Sequence, residues 1–466
     1  MTLEYKTLSM THISGFDYGT SNCAMGIMQD GKARLQALEG NKPFIPSTLY
    51  ALHRDLIPEW ISHNWASPPE LLSTYQQSRQ RALEQARHFR REEGLPQDEQ
   101  SLFFGLAAFD EYLAMPEEGY FVKSPKSFLG SSGLQANAIA FFEDIVTAMM
   151  RHIKQQAERN LENSITHTVI GRPVNFQGMN SNKSNRQAEA ILNTAARRAG
   201  FIHSEFLYEP LAAGIHFEDS LNKNCTVLVV DIGGGTTDCS MVKMGPSYKE
   251  KTERQADFLG HSGERIGGND LDIAIAAYEL MPLFGMQSLK KNKLPMPTQL
   301  YWNAVSTNDL AAQSAFYNEE TRVLIDQLQR DAADPKLVTR LVKMREEKQN
   351  YHIVRSAEQC KITLSDQDNT EVDLAYIEQA LSKPISQQTF REAINRPLEQ
   401  MLSLMDEAIS QAGTKPELIY ITGGSAKSPV MTQAIRERIG DIDVVDGDHF
   451  GSVATGLTIW ADRIFK

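Results

Sequence analysis

A short segment with the residue types of a phosphate-binding loop occurs twice in the chain. The first copy reads DYGTSNC at 17–23, and the second reads DIGGGTTDC at 231–239, about half a chain further on. Glycine followed by a hydroxyl residue at a tight turn leaves backbone N–H groups uncovered, and a concave arrangement of N–H groups binds phosphate oxygens. Two such loops facing each other could hold a polyphosphate from both sides. The candidate phosphate-binding residues are Gly19, Thr20, Ser21, Asn22, Gly233, Gly234, Gly235 and Thr236.

Each copy opens with an aspartate, Asp17 or Asp231, that would lie beside those phosphates. Carboxylate oxygens at that place are suited to Mg²⁺, which proteins often hold through water. A single D-x-G-T segment is more often a plain hairpin turn, but the repetition favours ligand binding. Apolar residues flank both copies, so each copy is predicted to be a β-hairpin. The duplication therefore predicts two similar lobes that face each other.

A third glycine pair, Gly423-Gly424, ends the apolar stretch 416–425. Glycine at a strand-to-helix turn lets a ligand approach the backbone, so this turn could contact a nucleoside together with Ser425 and Lys427. An ordinary turn between a strand and a helix is an equally good interpretation.

Three other features carry a chemical and a plain interpretation. Gly267-Gly268 precede an apolar helical stretch, where amides could approach an anion or simply begin a helix. Lys126 could neutralise phosphate charge and orient an attacking water, whereas most lysines are solvated surface residues. Glu209 precedes a proline at a predicted helix start, where the helix dipole alone favours an acid.

The elements that would position these residues follow an α/β pattern. The stretch 137–161 repeats apolar residues at helical spacing and predicts a long amphipathic helix. Buried strands are predicted at 166–174, 225–235 and 416–425. Strands alternating with helices indicate α/β layers around buried sheets. The polar stretch 52–118 and the irregular stretch 283–350 are predicted insertions.

Composition narrows the class of partner. The formal net charge is −12, which argues against binding to nucleic acid or to an anionic membrane surface. No apolar run approaches the roughly 20 residues of a membrane helix, and the first residues lack the apolar core of a secretion signal. Four widely spaced cysteines fit reduced thiols, and the scattered histidines predict no zinc site. We therefore expect a cytoplasmic protein.

Taken together, the motifs resemble the nucleotide-binding domain of the heat shock protein 70 (DnaK-like) family, and within it the short YegD-type branch. The resemblance runs with gaps from about residue 13 to 460. It is carried, in the family's order, by FDYGTSN, KSFLG, YEPLAAG, VVDIGGGTTDCS, IGGNDLD, AEQCKITLS and YITGGSAKSP. The family belongs to the actin and sugar-kinase superfold.

The resemblance implies roles for individual residues. Asp17, Asp231 and Glu209 would hold hydrated Mg²⁺, while Lys126, Glu209, Thr236 and Asp238 would serve catalysis. Lys126 matches the family's catalytic lysine better than Lys123 does. The residues implied to contact ATP or ADP beyond the two hairpins are Gly267, Gly268, Glu358, Lys361, Ser365, Gly423, Gly424, Ser425 and Lys427.

Three positions depart from the family's pattern. The family places adenine between two arginines, and Ile362 and Lys427 occupy those positions here. An apolar side chain and a lysine stem can cover the ring, but cation–π stacking on it is weaker. Near the C-terminus Phe450 stands where the family has an acidic residue, with Asp448 two positions earlier.

The implied fold is two-lobed, actin-like and α/β, with duplicated ribonuclease-H-like lobes around a nucleotide cleft. Lobe I is predicted at 10–215 with an insertion at about 52–118, and lobe II at 216–445 with an insertion at about 262–350. Residues 446–466 are predicted to form a C-terminal helix that returns to lobe I. The family's peptide-binding domain is not recognised in the sequence.

The implied function is slow, Mg²⁺-dependent ATP hydrolysis that drives a conformational switch of chaperone type, with a protein partner on the lobe surfaces. A non-hydrolysing sensor of ATP and ADP is the main alternative. A small-molecule kinase of the same superfold is a weaker one, because no carboxylate base facing an acceptor pocket is evident in the sequence. An actin-like filament is weaker still.

Overall fold

The computed structural model describes residues 12–116, 118–159, 161, 163–176, 181–447 and 451–466. The strands are β1 (His12–Tyr18), β2 (Asn22–Gln29), β3 (Lys32–Leu35), β4 (Phe44–Pro46), β5 (Thr48–Ala51), β6 (Leu102–Phe104), β7 (Tyr120–Lys123), β8 (Ile165–Arg172), β9 (His203–Tyr208), β10 (Cys225–Ile232), β11 (Thr237–Met244), β12 (Phe258–Glu264), β13 (Asn369–Asp373), β14 (Ser382–Ser386), β15 (Leu418–Thr422) and β16 (Val444–Asp446). The α-helices are α1 (Leu56–His63), α2 (Pro69–Ser78), α3 (Gln80–Glu92), α4 (Leu106–Ala114), α5 (Ala136–Glu158), α6 (Ser181–Arg198), α7 (Glu209–Glu218), α8 (Gly268–Ile275), α9 (Thr298–Val305), α10 (Leu310–Tyr317), α11 (Glu319–Asp331), α12 (Pro335–Glu346), α13 (Asn350–Thr363), α14 (Gln387–Ala393), α15 (Asn395–Ala412), α16 (Pro429–Ile439) and α17 (Ser452–Phe465).

Two sheets share one topology. The first has the order β3-β2-β1-β8-β9, with β4 also paired to β2, and the second has the order β12-β11-β10-β15-β16. In each sheet an antiparallel hairpin, β1–β2 or β10–β11, continues into parallel strands on its other side. The α/β prediction is confirmed, and the repeated motif forms a β-hairpin in both copies.

Both sheets are covered by helices, and the apolar strand residues lie in the core. Two large clusters of buried side chains belong to the first and the second sheet, and a third lies around α7 and α17. The C-terminal helix α17 packs closely on β1, since any side chain at Gly15 would collide with the backbone of Thr458. A side chain at Gly456 would likewise collide with the carbonyl of Ala212 on α7. Glycine therefore allows α17 to lie directly on the first sheet and on α7.

The predicted elements are largely observed. The strand prediction 166–174 corresponds to β8, 225–235 to β10 and 416–425 to β15, and the helix 137–161 corresponds to α5. The polar stretch 52–118 contains α1 to α4, but it also contributes β6 to a three-stranded sheet with β5 and β7. None of the helices in the described part of the chain is both long enough and apolar enough to cross a bilayer. All four cysteines are free and buried.

Candidate functional site

A cavity of about 170 Å³ lies where the two hairpins meet, between the sheets. This volume is smaller than the roughly 300–1,000 Å³ of typical small-ligand sites. The cavity in this arrangement is therefore small for a ligand of the size of a nucleotide. The residues singled out from the sequence that line this cavity are Asp17, Gly19, Thr20, Ser21, Asn22, Glu209, Asp231, Gly233, Gly234, Thr236, Glu358, Lys361, Ile362, Gly423, Gly424 and Ser425.

The first hairpin turn, between β1 and β2, is fixed by Ser47. The Ser47 hydroxyl donates to the carbonyl oxygen of Gly19 at 2.6 Å, and the Ser47 backbone N–H donates to the carbonyl oxygen of Ser21 at 2.9 Å. Asp17 lies one residue before the end of β1, opposite Ala24 on β2. The carbonyl oxygens of Gly19 and Ser21 in this turn are therefore already hydrogen-bonded to Ser47.

The second hairpin turn, between β10 and β11, is fixed mainly by backbone groups, with a longer contact from the Ser425 hydroxyl, which donates to the carbonyl oxygen of Gly233 at 3.3 Å. The N–H groups of Gly268 and Asn269, at the start of α8, donate to the carbonyl oxygens of Gly233 at 2.9 Å and Gly234 at 2.7 Å. A Cβ at Gly267 would lie 2.7 Å from backbone atoms of this turn, so only glycine permits the contact. The hairpin therefore already uses these amides in this structure, and the approach of an anion to them stays a prediction.

The tips of the two hairpins touch. A Cβ added at Gly234 would collide with the side chain of Ser21, and one added at Gly235 would lie 2.6 Å from Thr20 Cγ2. Gly423 also approaches the second hairpin closely and has a φ of 89°, a region that favours glycine. The glycines of the motif thus allow three backbone segments to converge on one cavity.

A buried lysine lies below the tips and forms an ion pair with an acid. Lys126, 5% exposed, donates to Oε1 of Glu209 and lies 3.5 Å from the carbonyl oxygen of Gly171. Burial alone would lower the pKa of Lys126, but the carboxylates of Glu209 and Asp17 outweigh burial, and the net pKa is raised. Lys126 therefore stays charged, and the structure favours it over Lys123 as the lysine of the site.

The carboxylates around Lys126 crowd one another. Burial, followed by repulsion from Glu209, raises the pKa of Asp17 to about 7. The same two causes raise the pKa of Asp238 to about 7, and burial raises that of Asp231 well above its usual value. Asp238 lies directly opposite Asp231 in the hairpin, and its Oδ1 accepts from the backbone N–H of Val174 at 2.7 Å. More negative charge is gathered here than Lys126 neutralises.

This charge imbalance fits a divalent cation with oxygen ligands. Mg²⁺ prefers carboxylate and water oxygens and usually keeps several of its waters. In the described part of the chain no three His, Cys, Asp or Glu side chains come close enough to hold a metal directly. The expectation that Asp17, Asp231 and Glu209 hold Mg²⁺ through water stays a prediction; Asp17, Asp231 and Glu209 all line the cavity.

Helix α13 forms another part of the cavity wall. Glu358, Lys361 and the 48% exposed Ile362 lie on this helix and face the cavity. Lys361 Nζ lies 2.7 Å from Oδ1 of the buried Asp272 and donates to the carbonyl oxygen of Gly268 at 3.1 Å. An exposed isoleucine beside charged groups offers an apolar surface to a flat ring.

A set of contacts, which we call the clasp, joins α13 and the residues just before it to the first lobe. Lys123 Nζ donates to Glu358 Oε2 at 3.1 Å, and the Tyr112 hydroxyl donates to the carbonyl oxygen of Lys348 at 2.6 Å. The rings of Phe121 and Tyr351 meet edge to face, 5.4 Å apart. Burial alone would raise the pKa of Glu358, but nearby cations, Lys123 first, outweigh it and lower the pKa.

Seven residues of the predicted site do not line the cavity: Lys126, Gly235, Asp238, Gly267, Gly268, Ser365 and Lys427. The first five lie beside the hairpins or their supports, whereas Ser365 and Lys427 have partners elsewhere. The Ser365 hydroxyl donates to the carbonyl oxygen of Lys361 at 3.3 Å, two residues past the end of α13. Lys427 is exposed, with its Nζ 3.7 Å from Asp366 Oδ2. Neither lines the cavity in this closed arrangement. Phe450 and Asp448 lie outside the described residues.

The structure also adds residues to the site that the sequence analysis did not find. Phe44, Ser452 and Val453 line the cavity, and Ser47 supports the first hairpin. Ser452 and Val453 begin α17, so the C-terminal helix reaches the site as well as the sheet. Ser452 and Val453 stand in the FGSVATG segment that the sequence had already singled out, whereas nothing in the sequence distinguishes Phe44 or Ser47.

Comparison with known proteins agrees with this geometry. The sequence profile of the Hsp70 protein family matches residues 134–295 and 333–462. Chaperone protein DnaK of Thermus thermophilus is 26% identical over 309 residues, which cover 64% of this chain and 40% of the relative. Chaperone protein dnaK3 of Synechococcus elongatus is 25% identical over 308 residues, covering 64% of this chain and 32% of the relative.

A chaperone protein HscA homologue of Pseudoalteromonas atlantica is 24% identical over 455 residues, covering 96% of this chain and 58% of the relative. The chain thus matches between a third and three fifths of the length of these relatives. The family profile covers more than half of the chain, including the second hairpin, α8, α13 and α17. The sequence prediction is confirmed: the chain belongs to the Hsp70 family, whose fold is the actin-like ATPase fold.

Proposed function

We propose that the protein binds Mg²⁺-ATP between its lobes and hydrolyses it slowly as a conformational switch. The observation that carries this proposal is the convergence of two related hairpins over the buried ion pair of Lys126 and Glu209. Membership of the Hsp70 family supports it, because members of that family are ATPases.

The arrangement suits phosphoryl transfer, in which positioning and charge compensation supply most of the catalysis. The hairpin turns would bind the phosphate oxygens with backbone N–H groups, and Lys126 would balance the charge that develops on the terminal phosphoryl group. Mg²⁺, when bound, would supply further positive charge beside the phosphates. Asp238, with a pKa of about 7, can accept the proton of the attacking water as the bond from phosphorus to the leaving oxygen breaks.

The base would lie at the α13 end of the cavity. Ile362 and the stem of Lys361 would cover the ring, and Glu358 would accept hydrogen bonds from the ribose. Ser365 and Lys427 would join the site only after the lobes move. Because Ile362 replaces an arginine that would stack on adenine, we expect weak discrimination between purine bases.

Hydrolysis would change the relative position of the lobes. The hairpin tips touch in this structure, so a triphosphate between them must hold them apart at a spacing that a diphosphate does not require. The relatives described above are chaperones by name, and we propose that this chain serves a chaperone or chaperone-related role, with a protein partner on the lobe surfaces.

Single-turnover hydrolysis of labelled ATP tests the proposal. Lys126→Ala should slow hydrolysis by about 100- to 1,000-fold, because it removes a preorganised charge from the transition state. Lys154→Ala is the matched control: Lys154 is also a buried lysine paired with a glutamate, but its partner Glu158 does not line the cavity, whereas Glu209, the partner of Lys126, does.

Three outcomes separate the candidate functions. Equal rates for Lys126→Ala and wild type would contradict the ATPase proposal. Binding of ATP without hydrolysis by wild type would favour a sensor of ATP and ADP. Consumption of ATP only on addition of a small hydroxyl compound would favour a kinase.

A further inference from the structure

A buried serine lies next to Lys126 in the chain, and its hydroxyl has no hydrogen-bond partner among the described residues. Ser127 follows Lys126 on the 3-10 turn Pro125–Phe128 and is 7% exposed. Its Oγ is buried and has no hydrogen-bond partner in the part of the chain that the structure describes. Buried hydroxyl groups are nearly always hydrogen-bonded, so one left over beside a ligand site points to the ligand.

The position of this hydroxyl indicates which part of a ligand it would contact. A Cβ built on Gly235 would lie 3.0 Å from Ser127 Oγ and also 3.0 Å from Thr20 Oγ1. The Ser127 hydroxyl therefore lies next to the contact between Thr20 and Gly235, where the tips of the two hairpins meet. A phosphate group seated between the two tips would lie over it.

The proposed position of the base indicates which phosphate of a nucleotide would meet the Ser127 hydroxyl. Under the proposed function the base lies against α13, and the phosphates lie between the hairpins beside Glu209, the partner of Lys126. A nucleotide lying along the cavity would bring the phosphate farthest from its base to Lys126 and Ser127. A diphosphate would not extend as far as a triphosphate.

We propose that the Ser127 hydroxyl donates a hydrogen bond to the terminal phosphate of a bound nucleoside triphosphate, and so contributes to discrimination between triphosphate and diphosphate. This inference rests on the proposed function. The Ser127 side chain would act as a phosphate ligand that becomes accessible when Thr20 and Gly235 are separated by the ligand.

The test compares two buried serines. Ser127→Ala removes a hydroxyl that has no partner in the described part of the chain, so the folded structure loses no hydrogen bond of its own. Ser240→Ala is the matched control, because Ser240 Oγ is likewise buried without a partner among the described residues. Ser240 faces a different cavity, between β9 and β12.

Calorimetric titration with Mg²⁺-ADP and with the Mg²⁺ complex of a non-hydrolysable β,γ-imido triphosphate gives the readout. Ser127→Ala should weaken the triphosphate about tenfold, as expected for one hydrogen bond to a charged oxygen, and leave ADP unchanged. Ser240→Ala should leave both affinities unchanged. Urea unfolding should show both variants as stable as wild type.

Each other outcome has a defined meaning. Unchanged triphosphate affinity in Ser127→Ala, or an equal loss for both nucleotides, would overturn the inference while leaving the proposed function intact. Failure of the wild-type protein to bind either nucleotide would overturn the proposed function, and this inference with it.

Discussion

The two phosphate hairpins are copies of one motif, but the protein supports them in different ways. Ser47 binds the first turn with its hydroxyl and its backbone N–H, whereas backbone N–H groups at the start of α8 bind the second. Contact between two backbones leaves no space for a side chain. This contact explains the glycine at position 267. Gly234 and Gly235 instead leave room for side chains of the first lobe, those of Ser21, Thr20 and Ser127.

The largest effect should come from filling the backbone contact of the second hairpin. A Cβ at Gly267 would lie 2.7 Å from backbone atoms of Gly234 and Gly235, and backbone cannot easily move away. We expect Gly267→Ala to lower the free energy of unfolding by about 2–3 kcal/mol, measured in urea. Gly233→Ala, whose nearest contact is 3.3 Å, should lower it by less than about 1 kcal/mol. Equal losses would show that the contact with α8 does not restrict this hairpin.

Removing the side-chain support of the first hairpin should cost less. Ser47→Ala leaves the carbonyl of Gly19 without its 2.6 Å hydrogen bond, which should cost about 1–2 kcal/mol in urea unfolding. Ser262→Ala is the control, since the Ser262 hydroxyl also donates to a buried carbonyl, that of Leu404, in the second lobe. Both variants should lose stability, but only Ser47→Ala should also weaken nucleotide binding. Normal nucleotide affinity in Ser47→Ala would remove Ser47 from the support of the site.

The aspartates of the two hairpins should respond differently to pH. Asp231 faces Asp238 across its hairpin, whereas Asp17 faces Ala24 and lies near Lys126. Because burial and like charge raise these pKa values in the folded state, the protein without ligand should lose stability as the pH rises from about 4 through 7.

Neutralising the more crowded aspartate should therefore stabilise the protein more. At pH 8, Asp231→Asn should raise the free energy of unfolding by about 1 kcal/mol, and Asp17→Asn should raise it less, because Glu209, Asp238 and Asp17 all repel Asp231 whereas Glu209 is the main group that repels Asp17. Urea unfolding at pH 5 and pH 8 measures both. A gain that is as large for Asp17→Asn would show that the facing acid does not matter.

The smallest expected effect is a release of protons from the protein when Mg²⁺-ADP binds. At pH 7, Asp17 and Asp238 are each partly protonated, and a cation held between the hairpins favours their charged forms. Binding of Mg²⁺-ADP should release a fraction of a proton, measured by calorimetry in two buffers of different ionisation enthalpy. Asp238→Asn should reduce the release through the second hairpin and Asp17→Asn through the first. Binding without proton release would mean that the cation lies elsewhere.

The sequence predicted the parts of the site that are written in local patterns. Both hairpins and the main strands follow from glycine spacing and apolar runs, and Lys126 follows from its motif. The supports of the hairpins could not be predicted, because Ser47 and Asn269 meet the turns only through the tertiary fold. Strand β6, with three residues, is too short to leave a periodic signal.

Ser365, Gly267 and Gly268 do not line the cavity, and the causes are again local. Glu358, Lys361, Ile362 and Ser365 are spaced to share one face of a helix, but α13 ends at Thr363, so Ser365 leaves that face. Gly267 and Gly268 do begin a helix, as one interpretation of the sequence held. Their N–H groups meet the second hairpin because the two segments pack together, which residue spacing alone does not reveal.

The clasp of Lys123, Glu358 and the aromatic residues beside them has a kinetic consequence. If these contacts have to break before a molecule leaves the cleft, its residence time would follow the frequency of that opening. Two proteins with identical pocket residues but different clasps would bind a nucleotide equally tightly and exchange it at different rates. The clasp involves residues more than 200 positions apart in the chain, so changes in either lobe can alter this rate without touching the phosphate hairpins.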